Sequence, residues 1–276
     1  MKNKIIMDSS CDIKDFSETD FSSVPLKIIT DKNEFTDNDT LNVKDMVEFL
    51  KKYKGKTTTT CPSVSDYIDT FADAENVYVI TITSALSGSY NAASVAASQY
   101  ALSHPDCNIH VFDSLSVGPE MLLLAEKISS LILKNYSFKD IISEVEKYKN
   151  TTRLLFSLQS LHNLANNGRI SHAVAKVVGM LGVRLIGKAS EVGKLEPMCK
   201  SRGERKNISD ITKQMMSLGY VGKKLHIAHC FNEEAAIMLK KNILTIFPSA
   251  DISIYPTGGL CSFYAEEGGL LIGFEV

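Results

Sequence analysis

The 276-residue sequence predicts an α/β fold made of two α/β domains, the first built on a mainly parallel sheet. Three observations carry this prediction. Apolar or β-branched runs at residues 5–7, 77–83 and 109–112 each lead into a helical pattern, so strand-to-helix units recur through the N-terminal half. Residues 77–83, Val-Tyr-Val-Ile-Thr-Ile-Thr, carry the β-branched character of a strand covered on both faces. At roughly 150 residues per domain the chain divides in two, and the change to a less regular alternation sets the boundary near 150–155, giving domains 1–153 and 154–276.

Each element has a local reason. Residues 5–7 form a buried strand that stops at Asp8-Ser9-Ser10. Val43, Met46, Val47 and Leu50 fall at i, i+3, i+4 and i+7, the stripe of an amphipathic helix. A hydroxyl cluster, Thr57 to Thr60, precedes Cys61-Pro62, and Ser63 with Asp66 forms a capping box that opens a helix to about residue 74. The strand at 77–83 gives way to Ser84-Ala85-Leu86-Ser87-Gly88-Ser89. The helix that follows is lined by Ala92, Ala93, Ala96, Ala97 and Ala101, small enough to lie close to a sheet. After the strand at 109–112 come Asp113-Ser114-Leu115-Ser116 and a helix with Pro119 in its first turn. Further strands are expected at 154–158, 183–186, 225–229, 252–255 and 270–274, with 194–198 pairing back across the Val192-Gly193 turn. Helices are expected at 204–218 and 233–246, and a short one ends near Asn167-Gly168.

Composition narrows the function. Thirty basic residues against 32 acidic ones leave a net charge of −2, with no global positive field to hold nucleic acid. Six scattered cysteines, none in a C-x-x-C pair, fit reduced thiols in the cytoplasm. No apolar run reaches the ~18 residues that would span a bilayer, and the N-terminus has no export-signal core, so a soluble cytoplasmic protein is expected.

Ligands of open α/β sheets bind beyond the carboxyl ends of the strands, where helix N-termini point free N–H groups. That edge is rich in hydroxyls here: Ser9, Ser87 with Gly88, and Asp113 with Ser114 follow strands, and Thr59-Thr60 precedes a helix cap. Any one of them could be an N-cap. Together they make a neutral donor cradle for a carboxylate or phosphate, with Gly88 allowing close backbone approach. The stretch from Gly182 to Ala189 matches G-x-x-x-x-G-K, but its apolar middle reads as a strand and Ala189 lacks the magnesium-binding hydroxyl. His226 and His229 point to opposite faces of their strand, so no metal is expected there. The basic stretch from Lys188 to Lys206 reads either as a solvated hairpin and helix start or as a docking patch.

Taken in order, these segments resemble the DegV family of bacterial fatty-acid-binding proteins. The matching pieces are Asp8-Ser9-Ser10, Thr59-Thr60-Cys61-Pro62-Ser63, Leu86-Ser87-Gly88-Ser89-Tyr90-Asn91, Asp113-Ser114, Gly168-Arg169-Ile170-Ser171 and Arg202-Gly203. The resemblance implies a lipid cavity between two α/β domains, holding one long-chain fatty acid and no cofactor. It implies Thr59 and Ser87 as direct carboxylate ligands, with Thr60, Gly88, Ser9, Asp113 and Ser114 around them. It also implies a separate ATP-dependent fatty acid kinase as partner, docked through Arg169 and Arg202, acyl phosphate for phospholipid synthesis, and only transient membrane contact. The sequence departs from the family pattern in Cys61 and in Asn166-Asn167. Tyr264 stands where some members carry a histidine that assists the carboxylate, so a phenol would supply one hydrogen bond instead.

Magnitudes favour a carrier over a catalyst. Burying an acyl chain of ~16 carbons at ~0.8 kcal/mol per methylene gives on the order of 12 kcal/mol gross, against a few from the head group. The alternative is an enzyme acting on a small carboxylate or acyl ester, with Ser87 or Ser9 as nucleophile and Asp8 or Asp113 as acid-base group. No motif sets a histidine beside those serines.

Overall fold

The computed structural model describes residues 2–17, 19–72, 74–178 and 182–276, without the side chain of residue 177. Strand β1 (Asn3–Asp8) is buried from Ile5 onward and pairs in parallel with β2 (Asp20–Val24), a neighbour whose partly exposed residues gave no clear strand pattern. The chain then doubles back through β3 (Lys27–Ile29) and β4 (Glu34–Thr36). Helix α1 (Val43–Lys52) follows, opened by the Asn42 side chain and buried through Met46 on the expected stripe. Next comes β5 (Thr58–Thr60), formed within the hydroxyl cluster, to which the sequence pattern assigns no element. It pairs antiparallel with β3, giving a small sheet in the order β4-β3-β5. Helix α2 (Val64–Ile68) carries the Ser63/Asp66 capping box but stops at Ile68, well before residue 74.

The strand predicted most strongly is β6 (Asn76–Thr81), buried at every position. Helix α3 (Ser89–Ser103) packs on the sheet through Ala93 and Ala96, and β7 (Asn108–Asp113) closes the sheet. The four strands run in the order β2-β1-β6-β7, all parallel, so their carboxyl ends share one edge as the sequence predicts.

Helix α4 (Pro119–Leu133) lies between this sheet and the C-terminal one. Met121, Leu124, Ala125 and Ile128 share a core with Ile5, Met7, Tyr78, Ile80 and Phe112. Helix α5 (Phe138–Lys149), absent from the sequence expectations, adds Ile141 and Val145 to the same core. Its Ser137 cap, and apolar residues at 138, 141, 142 and 145, are a readable helix signal. Strand β8 (Thr152–Leu158) begins the second sheet, and Thr152 donates 2.7 Å to Glu120 in the first turn of α4.

Short helices α6 (His162–Asn166) and α7 (His172–Ala175) precede the hairpin of β9 (Val183–Ala189) and β10 (Leu195–Arg202). The G-x-x-x-x-G-K stretch is therefore the extended strand its apolar residues predict. Helix α8 (Glu204–Ser217), β11 (Leu225–His229), α9 (Glu233–Ile246), β12 (Ile252–Pro256), α10 (Gly259–Ala265) and β13 (Leu270–Glu275) complete the chain. The second sheet is mixed, in the order β10-β9-β8-β13-β11-β12. Only β11 and β12 pair in parallel within it, because a hairpin and a returning last strand replace the regular crossovers of the first half. Among the described residues, no helix is long and apolar enough to cross a membrane.

Candidate functional site: an apolar cavity with a hydroxyl-lined end

Between the carboxyl edge of the parallel sheet and the face of the six-stranded sheet lies an apolar cavity. Leu26, Ile82 and Val117 come from the first side; Leu154, Phe156, Leu158 and Leu271 come from strands β8 and β13; Leu195 comes from β10, and Leu164, Leu260 and Ala265 from α6 and α10. These side chains close in on a narrow, largely apolar space that is partly open to solvent. A roomier groove of about 2240 Å³ lies behind α6 and α10, lined by Lys51, Lys54, Lys56, His162 and Glu266. Its walls mix these charged groups with Val47, Leu50 and Phe263, whereas the first cavity is lined mainly by apolar side chains, so the apolar cavity is the candidate site.

Polar groups gather at one end. The Thr59 and Tyr264 hydroxyls share a hydrogen bond of 2.7 Å, and Ser87 lines the same wall. The Arg169 guanidinium lies 5.9 Å from the centre of the Tyr264 ring and donates through Nε to the Leu86 carbonyl. Burial pushes the Tyr264 phenol above its ordinary pKa, partly offset by the Thr59 hydrogen bond and the charge of Arg169. Tyr264 therefore stays a neutral donor throughout the physiological range.

The local chemistry explains which hydroxyls reach the cavity. In β5 the side chains alternate, so Thr59 turns inward while Thr60, expected as a ligand, is exposed on the other face. Gly88 is the exposed N-cap of α3 and is not part of the cavity wall. Ser9 accepts a hydrogen bond from the Leu26 N–H at 3.0 Å, fixing the turn between β2 and β3. Asp113 accepts from the N–H groups of Ser84 and Leu115, both at 3.1 Å, and Ser114 bonds the backbone of Ser116. Those three tie loops together and do not line the cavity.

Asp8 has a comparable structural task. Its buried carboxyl accepts from the Ile82 N–H at 2.8 Å and the Ser89 hydroxyl at 2.7 Å, while Ser89 in turn meets the Tyr67 hydroxyl at 2.8 Å. Burial raises its pKa, against the pull of these hydrogen bonds. This network anchors the turn that carries Ser87, so the nucleophile-and-acid pairing weighed from sequence finds Asp8 and Asp113 already committed to loop geometry.

Arg169, expected only as a docking residue, borders the polar end of the cavity; a cradle without arginine was the sequence expectation, and the fold of the α6 to α7 turn changes it. Arg202 is exposed at the end of β10, away from the cavity. His226 is buried and faces Glu126 of α4 at 3.1 Å, and His229 receives the Asn232 N–H. Among the described residues, no group of three or more potential ligands could hold a metal ion. Sequence reasoning missed the walls: Phe156, Leu158 and Leu271 carry the same signal as ordinary core, and only the assembled sheets set them apart.

A family model described as "Uncharacterised protein, DegV family" matches residues 2–275. The chain belongs to the DegV family. A DegV domain-containing protein of Streptococcus pneumoniae is 43% identical over 277 residues, covering 99% of both chains. The crystal structure of the S. pneumoniae Fatty Acid Kinase (Fak) B3 protein loaded with linoleic acid is 42% identical and superposes with a TM-score of 0.98 over the whole of both chains. A DegV family protein from Eubacterium eligens loaded with heptadecanoic acid is 39% identical, also with a TM-score of 0.98, covering 99% of each chain.

Proposed function

We propose that this DegV protein is a non-catalytic carrier of one long-chain fatty acid. It buries the acyl chain between domains 1–153 and 154–276 and holds the carboxylate at Thr59, Ser87 and Tyr264. The observation that carries this reading is the apolar cavity closed at one end by the Thr59–Tyr264 hydroxyl pair. The likeness to fatty-acid-loaded DegV proteins at 39% and 42% identity supports the same ligand class.

The division of labour follows from magnitudes. Roughly 0.8 kcal/mol for each buried methylene supplies affinity, while hydrogen bonds to a charged carboxylate, about 1.5–3 kcal/mol each, select an acid over a neutral lipid. Arg169 adds positive charge next to this end and braces the Tyr264 ring. The partner in this reading is a separate ATP-dependent fatty acid kinase that phosphorylates the presented carboxylate, with exposed Arg202 on the docking face. Membrane contact is transient, for loading and release, and the cytoplasm is the compartment that suits six free cysteines.

Titration of delipidated protein with oleic acid and with methyl oleate tests the reading. A carrier of this design binds the acid stoichiometrically and the ester more weakly; equal affinity for both, or binding of neither, would overturn it.

A further inference from the structure

Helix α10 carries Tyr264, yet nothing local starts it. Its first residues are Gly258 and Gly259, and no neighbouring side chain caps it. Its leading N–H groups are taken by two carboxylates more than 200 residues away in sequence. Gly258 N–H donates to Asp12 Oδ1 at 2.8 Å, Gly259 N–H to Asp37 Oδ1 at 2.7 Å, and Leu260 N–H to Asp37 Oδ2 at 2.9 Å. Asp37 is 4% exposed; Asp12 keeps some exposure as a residue, but its Oδ2 is enclosed. Buried carboxyl oxygens facing the N-terminal turn satisfy donors that would otherwise be stranded.

The approach is close enough to dictate sequence. A Cβ on residue 259 would lie 2.7 Å from Asp37 Oδ1 and 2.6 Å from a Leu41 methyl, so glycine is required there. A seven-residue helix has too few internal hydrogen bonds to hold itself. Phe263 packs outward against Ile28 and Met46, while Leu260, Cys261, Tyr264 and Ala265 face the cavity, so a rotation of α10 moves the Tyr264 hydroxyl directly.

The geometry points to Asp37, assisted by Asp12, as a positioning residue for the ligand carboxylate: it fixes the first turn of α10 and thereby sets Tyr264 against Thr59. This rests on the carrier reading. The Asp37 pair of hydrogen bonds is bidentate, and Asp37→Asn replaces one acceptor oxygen by an amide that opposes the Leu260 or Gly259 N–H.

A double-mutant cycle tests the assignment. Asp37→Asn should weaken oleic acid binding about fivefold, the effect of misplacing one hydrogen bond, and should leave binding of methyl oleate unchanged. In a Tyr264→Phe background it should cause no further loss. Should Asp37→Asn fail to fold, Asp37→Glu, which keeps both acceptor oxygens but displaces them by one methylene, takes its place in the cycle. Equal losses in both backgrounds, equal losses for acid and ester, or no loss at all would overturn the positioning role. Wild-type protein that binds no oleic acid would overturn the carrier reading itself, an outcome distinct from all three.

Discussion

Replacing Asp12 by asparagine should change how stability responds to pH. Asp12 occupies a left-handed backbone conformation at φ 65°, which asparagine tolerates better than other non-glycine residues, and an Asn oxygen can still accept from Gly258 N–H. Burial raises the Asp12 pKa from an ordinary 3.8 to about 8, with the Gly258 hydrogen bond opposing the rise and Asp37 adding to it. The folded chain therefore keeps a proton that the unfolded chain has already released over this interval. Unfolding free energy contributed by this group is greatest below the unfolded pKa, falls by about 1.4 kcal/mol per pH unit in between, and levels off above the folded pKa. From about pH 6 to pH 8 the wild type should lose roughly 2 kcal/mol that Asp12→Asn retains. Asp8, Asp37 and Glu120 are raised by burial too, but they are common to both proteins and largely cancel in the comparison. Urea unfolding followed by circular dichroism at several pH values reads the difference in slope. Parallel slopes for the two proteins would refute the buried, neutral Asp12.

Other outcomes follow from the same geometry. Tyr264→Phe and Ser87→Ala should each weaken fatty-acid binding at least about tenfold without loss of fold, as one hydrogen bond of ~1.5–3 kcal/mol to a charged carboxylate requires; calorimetric titration with unchanged affinity would remove the residue from the site. Gly193 closes the β9–β10 hairpin at φ 72°, and a Cβ there would collide with the Thr83 side chain. Gly193→Ala should cost about 1–3 kcal/mol and lower Tm, whereas an unchanged Tm would mean that the hairpin does not press on the parallel-sheet edge. If the proposed kinase is the partner, Arg202→Ala should impair acyl-phosphate formation while sparing fatty-acid binding. Arg169→Ala should impair both, because its guanidinium braces the Tyr264 ring; binding left intact by Arg169→Ala would confine it to docking.

The parallel sheet was legible because β6, one of its two inner strands, is a run rich in β-branched residues of the kind that fits a sheet covered on both faces. The small sheet was not. Its three-residue strands at 27–29, 34–36 and 58–60 are too short to carry a period and exist through their pairing. Helix α10 was invisible for a related reason, since two glycines signal a turn and its caps, Asp12 and Asp37, come from the far end of the chain. At the site, sequence could point to the hydroxylated edge but not sort it. Ser9, Ser114 and Ser87 have the same chemistry after a strand, and which of them serves a loop and which faces a cavity depends on where the second sheet lands. Thr59 and Thr60 could have been separated by strand alternation had β5 been recognised. The apolar walls had no separate signature, because residues lining a lipid cavity and residues filling a core obey the same hydrophobic pattern.

The central claim is that the space between the two sheets holds a fatty acid. Organic-solvent extraction of the purified protein, followed by mass spectrometry against an internal standard, tests it most directly. The account predicts close to one long-chain fatty acid per chain, lost in a variant whose cavity end is altered at both Ser87 and Tyr264. Protein that yields no fatty acid, and that takes up none when oleic acid is supplied, would contradict it.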